Sequence, residues 1–399
     1  MPNMKERADM VLVGAGIAGC ATAACLLRAA PELRVIMLDR AHVGAGSTSR
    51  SMAAFRHQWS VPAHVSFSKY ASQSYMEMAD RGVPVGFRRN GYLFLYHDPE
   101  VFRQARARVG RQRSLGVEGV SDVTAGELQR AVSCGHALET DGIVGGVFGS
   151  QDGWLDPLAV AQAYLAEARE AGLDYRPDTA VTGIRQSGGA VRGVRITGGH
   201  IEAERLLVCA GPWSPQVTAL LDLDLPVRPA KRYLYHTRPL RDTRVEEWPL
   251  VIAPGGAHCR PGEGNTLVLA WEARPEPLER FPEGDGLWEN QDLIEEGFGL
   301  SPEEWGIAIL SRLAEFLPLL AEQASLAHVT CGWYSVTPDH KAILSEDPRL
   351  TGLYHASGFS GHGIMHGPAN GLCMAELMLG LTPTLLTKED LTRQFGLAP

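Results

Sequence analysis

The sequence predicts an α/β chain in which a parallel, helix-covered sheet is interleaved with a second, α+β region of mixed sheet. Three observations carry that reading. An apolar strand, Met10-Val-Leu-Val13, runs straight into Gly14, Gly16 and Gly19 and on into a helical run to Arg28. The chain returns to a buried strand and glycine turn at Arg205-Leu-Leu-Val-Cys-Ala-Gly-Pro212. A second glycine-rich stretch, Gly358-Phe-Ser-Gly-His-Gly363, opens a helix near the C-terminus.

Each glycine of the first stretch has its own task. Gly14 permits the tight turn, Gly16 lets backbone approach a pyrophosphate, and Gly19 allows the helix to pack on the strand. The second strand, Arg34-Val-Ile-Met-Leu-Asp39, ends in an acid 20 residues after Gly19, where a carboxylate can accept hydrogen bonds from a ribose. Strand, turn, helix and acid in this order describe a Rossmann-like dinucleotide-binding unit. Met10 to Leu27 is almost wholly apolar, but three glycines within six residues and a charged strand directly after it favour a buried sheet-to-helix unit over a membrane span.

Ala41 to Arg56 is rich in small residues and hydroxyls, which suits a loop pressed against a phosphate or ring. An amphipathic helix is expected from Val65 to about Arg81, and Phe87 to Tyr96 reads as strand, tight turn and strand. Asp156 can cap a helix with Pro157 at its first position and Gly172 at its end. A meander follows over Ala180 to Ile184, Val191 to Thr197 and His200 to Glu204. A second excursion, rich in aromatics and proline, runs from about Pro226 to Ser325, and a final helix reaches Leu379. The expected nucleotide domain is therefore discontinuous, over 1–86, 150–225 and 326–399, with a substrate domain over 87–149 and 226–325.

Composition narrows the class. The 399 residues are 45% hydrophobic and 21% charged, ordinary for a globular chain, and a net charge of -9 argues against a general nucleic-acid binder. Arg103, Arg106, Arg108, Arg111 and Arg113 read as a solvated helix face. Seven scattered cysteines form no CxxC pair, which disfavours a disulfide framework, a zinc site or an iron–sulfur cluster. The first ten residues lack a secretory apolar run, so a cytoplasmic, reduced protein without a membrane span is expected, with no metal site.

Several motifs now agree in order: Gly14-Ala-Gly-Ile-Ala-Gly19 with Asp39, Gly46-Ser-Thr48 with Arg56, Gly91-Tyr-Leu-Phe94, Asp152-Gly-Trp-Leu-Asp-Pro157, Ala210-Gly-Pro-Trp213, Thr337-Pro-Asp339 and Gly358 to Gly363. Together they resemble the FAD-dependent D-amino-acid-oxidase-like superfamily, in particular sarcosine oxidases, dimethylglycine dehydrogenases and the β subunit of archaeal-type L-proline dehydrogenase. The resemblance implies FAD rather than NAD. The second glycine-rich helix start agrees, because backbone N–H groups there can stabilise negative charge on a reduced flavin. It further implies oxidation of a C–N bond in a secondary or N-methyl amino acid, by hydride transfer to flavin N5, giving an imine. Two alternatives stay open: a D-amino-acid or glycine oxidase, and an FAD-carrying subunit of a multi-subunit dehydrogenase that passes electrons to a partner protein.

The cofactor-side residues implied are Gly14, Gly16, Ile17, Ala18 and Gly19 in the first turn, then Asp39 and Arg40. Gly46, Ser47, Thr48, Met52 and Ala53 follow, with Val181, Ala210, Gly211, Trp213 and Gly332. The last group is Gly358, Ser360, Gly361, His362, Gly363 and Ile364. On the substrate side, Arg56 is similar to a carboxylate-binding arginine, since a guanidinium grips a carboxylate in a bidentate way. Pairing with a local carboxylate or a cofactor phosphate is its alternative role. Tyr334 matches a tyrosine near the substrate, or a core tyrosine with its hydroxyl satisfied. Gly332 stands where covalent members carry a flavin-linking cysteine, with Cys331 beside it, so non-covalent FAD is expected. Met365 stands where oxygen-reducing members carry a lysine. A thioether there should slow reaction with O2 unless His366 or His362 supplies the charge, which favours a dehydrogenase over an oxidase. Glu272 lies roughly where sarcosine oxidases place a histidine; a surface glutamate at a strand end is the competing reading.

Overall fold

The computed structural model describes residues 4–241, 244–271 and 300–397. At its centre is a six-stranded sheet in the order Ile343–Glu346, Leu353–Ser357, Arg205–Val208, Met10–Val13, Val35–Leu38 and Asp174–Arg176. All neighbours pair in parallel except the first two. Every residue of Met10–Val13 and Val35–Leu38 is buried, as expected of a parallel sheet covered on both faces.

Strand alternation decides what covers each face. Met10 and Leu12 join the helices Ile17–Ala29, Pro62–Asp80, Pro157–Glu170 and Gly363–Leu379 in one apolar cluster. Val11 and Val13 point the other way, onto a four-stranded sheet built from Met4–Arg7, Gly199–Glu202, Ala190–Ile196 and Val181–Ser187. The meander is thus the outer wall of the parallel-sheet unit. Its edge strand Met4–Arg7 pairs in parallel with Gly199–Glu202 and was not expected from sequence.

The helix Gly363–Leu379 carries Pro368 in its interior, which removes the N–H that would bond the Ile364 carbonyl. The hydroxyl of fully buried Tyr75 donates to that carbonyl instead. A potentially orphaned buried acceptor is thereby satisfied, and the helix stays docked on Pro62–Asp80.

Among the described residues a second, eight-stranded sheet runs Leu326–Val336, Arg228–Thr237, Leu267–Trp271, Ala257–Pro261, Leu250–Ile252, Tyr92–Tyr96, Gly145–Gly149 and Val120–Thr124. Leu93, Val251, Cys259, Leu269 and Tyr235 form one face, covered by the helix Pro302–Ala314. That helix starts with a capping box between Ser301 and Glu304 and Pro302 in its first turn, a signature the sequence carries openly. The expected first strand of Phe87 to Tyr96 does not form. Gly91 turns the chain at φ 95°, and Arg88 instead bridges Trp154 beside the short pair Ala54–Phe55 and Gly153–Trp154. Asp156 caps Pro157–Glu170 through the N–H groups of Leu158 and Ala159, as expected.

Candidate active site

A cavity of about 390 Å³ opens where Met10–Val13 gives way to the first helix, within the size range of small-molecule sites. Gly14 sits at φ 118°, and a side chain there would meet the Cys209 carbonyl oxygen at 2.5 Å. Gly19 does not line the cavity. A Cβ on it would fall 2.0 Å from the Gly14 oxygen, so its role is the close strand-to-helix contact. The helix Ile17–Ala29 begins with no side-chain cap and no acid in its first turn, the condition under which a helix start holds an anion. Thr48 Oγ1 accepts from the Ile17 N–H at 3.1 Å and brings the 46–48 loop to the same place.

Asp39 closes this end. Its Oδ2 accepts from Ala15 N at 2.7 Å and its Oδ1 from Ala41 N at 2.8 Å, while burial raises its pKa. A carboxylate has about four lone-pair sites, so acceptor capacity remains toward the cavity that it lines.

The far end is formed by Gly332, Tyr334, Gly361, Gly363 and Ile364. The loop before the last helix is stitched to the strand Leu326–Val336: Ser360 N donates to Ser335 O at 2.8 Å, and Thr337 N to Ser360 Oγ at 3.3 Å. Gly361, at φ 89°, lets the loop lie on the Tyr334 ring, where a Cβ would come within 2.7 Å. A Cβ on Gly332 would meet the Arg50 Cβ at 2.7 Å. Alternation along the strand turns the Cys331 side chain away from the face that Gly332 and Tyr334 share.

Cross-strand register extends that face across six strands of the sheet, from Leu326–Val336 to Tyr92–Tyr96. Ala230 pairs with Tyr334, Arg232 with Gly332, and His236 with both Val268 and His328. Val268 pairs with Arg260, and Tyr92 and Phe94 pair with Leu250 and Ile252. These even-numbered positions lie opposite the helix-covered odd ones. Arg56 rests on this face, its guanidinium carbon 5.6 Å from the Tyr92 ring centre, 5.3 Å from Phe94 and 4.3 Å from Trp59. Its Nε is buried without a hydrogen-bond partner, and no carboxylate pairs with it among the described residues. Arg260 Nε donates to the Met52 carbonyl at 2.6 Å, and burial lowers the Arg260 pKa to about 10.

Beyond Trp59 lies a group of imidazoles. The Trp59 ring is 4.6 Å from His362 and 5.2 Å from both His64 and His366. Burial, then the Arg56 charge, lowers the His362 pKa to about 3, and burial takes His366 well below its ordinary value. Neither imidazole supplies a cation at neutral pH. Met365 packs against the cluster of Ala54, Tyr92 and Leu250 and against the cluster that holds Trp59.

Of the residues expected from sequence, Gly14, Gly16, Ile17, Ala18, Asp39, Arg40, Gly46, Ser47, Thr48, Val181, Ala210, Gly211, Trp213, Gly332, Tyr334, Gly361, Gly363 and Ile364 line the one cavity. Met52, Ala53, Gly358, Ser360 and His362, like Gly19, do not line it. Arg56 and Met365 sit on the sheet face beside it, and Glu272 lies outside the described residues. Arg50, Arg232 and Trp333 also line the cavity and were missed. Only strand register brings Arg232 there, and Trp59 is far in sequence from His362 and His366, two of the rings it meets.

A helix-covered parallel sheet with an uncapped glycine turn, an acid at the end of the next strand and a second sheet closing the cavity make a site of the dinucleotide-binding class. The profile of the FAD dependent oxidoreductase family matches residues 9–377, and the chain belongs to that family. It is 26% identical to glycine oxidase of Geobacillus kaustophilus over 94% of each chain, and 26% identical to FAD-dependent oxidoreductase domain-containing protein 1 of Bos taurus over 94% of this chain and 82% of that one. The solved L-proline dehydrogenase from P. horikoshii shares the fold, with a TM-score of 0.83 at 23% identity over 95% of both chains. The mitochondrial pyruvate dehydrogenase phosphatase regulatory subunit of Mus musculus matches 98% of this chain at 25% identity, but the match spans only 44% of that longer protein. FAD is the cofactor of this family, and the unfilled lone pairs of Asp39, the uncapped helix start and the glycine-lined far end suit its ribose, pyrophosphate and ring. Among the described residues no helix is long and apolar enough to cross a membrane.

Proposed function

We propose that the chain oxidises the C–N bond of a secondary or N-methyl amino acid of the proline or sarcosine kind to an imine. The observation that carries this is Arg56: a guanidinium stacked on Trp59 at 4.3 Å, resting over Tyr92 and Phe94, with a buried Nε lacking a partner. A cation held on apolar rings without a carboxylate is poised for one from a ligand, where a bidentate grip also fixes orientation. Bound FAD supplies the two-electron acceptor. The chain's own contribution is to hold the carboxylate at Arg56, to confine the substrate between the sheet face and the 358–363 loop with Tyr334 on its wall, and to exclude water with Trp59, Met365 and Tyr92.

The relatives named glycine oxidase and sarcosine dehydrogenase support an amino-acid substrate class. A dehydrogenase is favoured over an oxidase, because Met365 is a thioether and His362 and His366 beside it are uncharged. Anaerobic bleaching of the flavin band by such an amino acid, weakened in Arg56→Met, tests the reading. Equal titration of Arg56→Met and the parent chain would overturn the role of Arg56.

A further inference from the structure

On the outer side of the helix Pro62–Asp80, away from the flavin cavity, lies a second cavity of about 250 Å³ whose walls include His57, Lys69, Ser72, Arg89 and Gln151. His57 Nδ1 is 3.0 Å from Asp152 Oδ1, and His57 Nε2 is 2.6 Å from Ser72 Oγ. Asp152 is buried and fixed: Oδ1 also accepts from the His57 backbone N–H at 2.8 Å, and Oδ2 accepts from Gln58 Nε2 at 2.9 Å. The carboxylate therefore takes the Nδ1–H of His57 and leaves the Nε2 lone pair facing the serine. The Ser72 hydroxyl has one proton and two acceptors in reach, Nε2 at 2.6 Å and the Lys69 carbonyl at 3.1 Å. The shorter contact is to the imidazole. A carboxylate that orients an imidazole, which in turn receives the proton of a hydroxyl in an open cavity, is the arrangement that activates a nucleophilic serine.

We propose that Ser72, His57 and Asp152 form a second reactive site, separate from the flavin chemistry, that cleaves short acyl esters. Ser72 Oγ attacks the acyl carbon as its proton passes to His57 Nε2. The ester C–O bond then breaks and the leaving alcohol takes that proton. Water, deprotonated by the same nitrogen, releases the acyl group as a carboxylic acid and restores the serine, so the net reaction is ester plus water to acid plus alcohol. Asp152 is a positioning residue that also stabilises the imidazolium. Lys69, one turn before Ser72 on the same helix face and now bonded to the Gly116 carbonyl at 2.8 Å, and Arg89 are the cations available to the developing oxyanion.

The test uses the flavin-loaded protein and a small alkyl fluorophosphonate, which serine attacks at phosphorus with loss of fluoride. The expected result is one covalent adduct, mapped to Ser72 by peptide mass, and turnover of p-nitrophenyl acetate that falls by roughly 100-fold in Ser72→Ala. Alanine suits a helix, and Ser72 takes no part in the flavin site, so the flavin spectrum of that variant should be unchanged. Absence of an adduct at Ser72, or ester turnover equal in Ser72→Ala and the parent chain, would overturn the proposal.

Discussion

Trp59 holds Arg56 from two directions. Its indole Nε1 donates to the Arg56 carbonyl oxygen at 2.9 Å, while its ring lies 4.3 Å from the guanidinium carbon. The same ring meets His362 edge-on at 4.6 Å, so one side chain ties the proposed carboxylate anchor to the loop that opens the last helix. Trp59→Leu removes the hydrogen bond and the stacking together; Trp59→Phe keeps a ring and loses only the bond. Cation–π contacts contribute roughly 0.5–2 kcal/mol. The expected outcome is a several-fold higher KM for a carboxylate substrate in Trp59→Leu, a smaller rise in Trp59→Phe, and little change in kcat, read from steady-state kinetics with a dye acceptor.

Arg56→Lys should differ from Arg56→Met. Lysine keeps the charge but not the planar fork, so it should retain part of the substrate affinity that methionine loses. Titration of flavin absorbance with substrate under nitrogen separates the two.

Gly361→Ala asks for a side chain where φ is 89° and the Tyr334 ring would be 2.7 Å away. Such strain costs roughly 1–3 kcal/mol. The variant should melt at a lower temperature and release flavin faster, as followed by recovery of flavin fluorescence on dilution.

Tyr75→Phe leaves the Ile364 carbonyl, which Pro368 cannot serve, without a donor in the core. A loss of roughly 1–3 kcal/mol in urea unfolding is expected. Because the docking of the last helix also shapes the flavin end, the cofactor should dissociate more readily in the same variant.

Stability should fall on the acid side. Burial, followed by the charges of Lys341 and Arg56, lowers the His64 pKa to about 4, and burial with Arg56 lowers that of His362 to about 3, from an ordinary 6.5. Between those values the unfolded chain binds protons that the folded chain refuses. The contribution of the neutral imidazoles is therefore complete above pH 6.5 and is lost as the pH falls toward 4 and 3, at roughly 1.4 kcal/mol per pH unit for each. His64→Gln should flatten the Tm profile in that window, and a profile identical to the parent's would contradict the assignment.

The glycine turn, the acid at 39 and the 358–363 loop were legible because each depends on residues close in sequence. Gly14 and Gly361 announce positive φ, and Asp39 sits at a fixed distance from the turn. The wall around Arg56 was not legible. Tyr92, Arg260 and Arg232 reach one face only through the pairing of five different strands, and a one-residue change of register would turn each of them to the opposite side. Trp59 sits five residues after the short strand residue Ala54, and nothing local marks it as the partner of His362. The capping box of Ser301 and Glu304, in contrast, could have been read.

The most direct measurement is anaerobic titration of the yellow protein with L-proline, D-proline, sarcosine and pipecolate, followed in the visible flavin band. The account predicts that at least one of them bleaches the band and that colour returns slowly when air is admitted. Failure of all four to reduce the flavin would contradict the proposed substrate class, and immediate reoxidation by air would contradict the preference for a dehydrogenase.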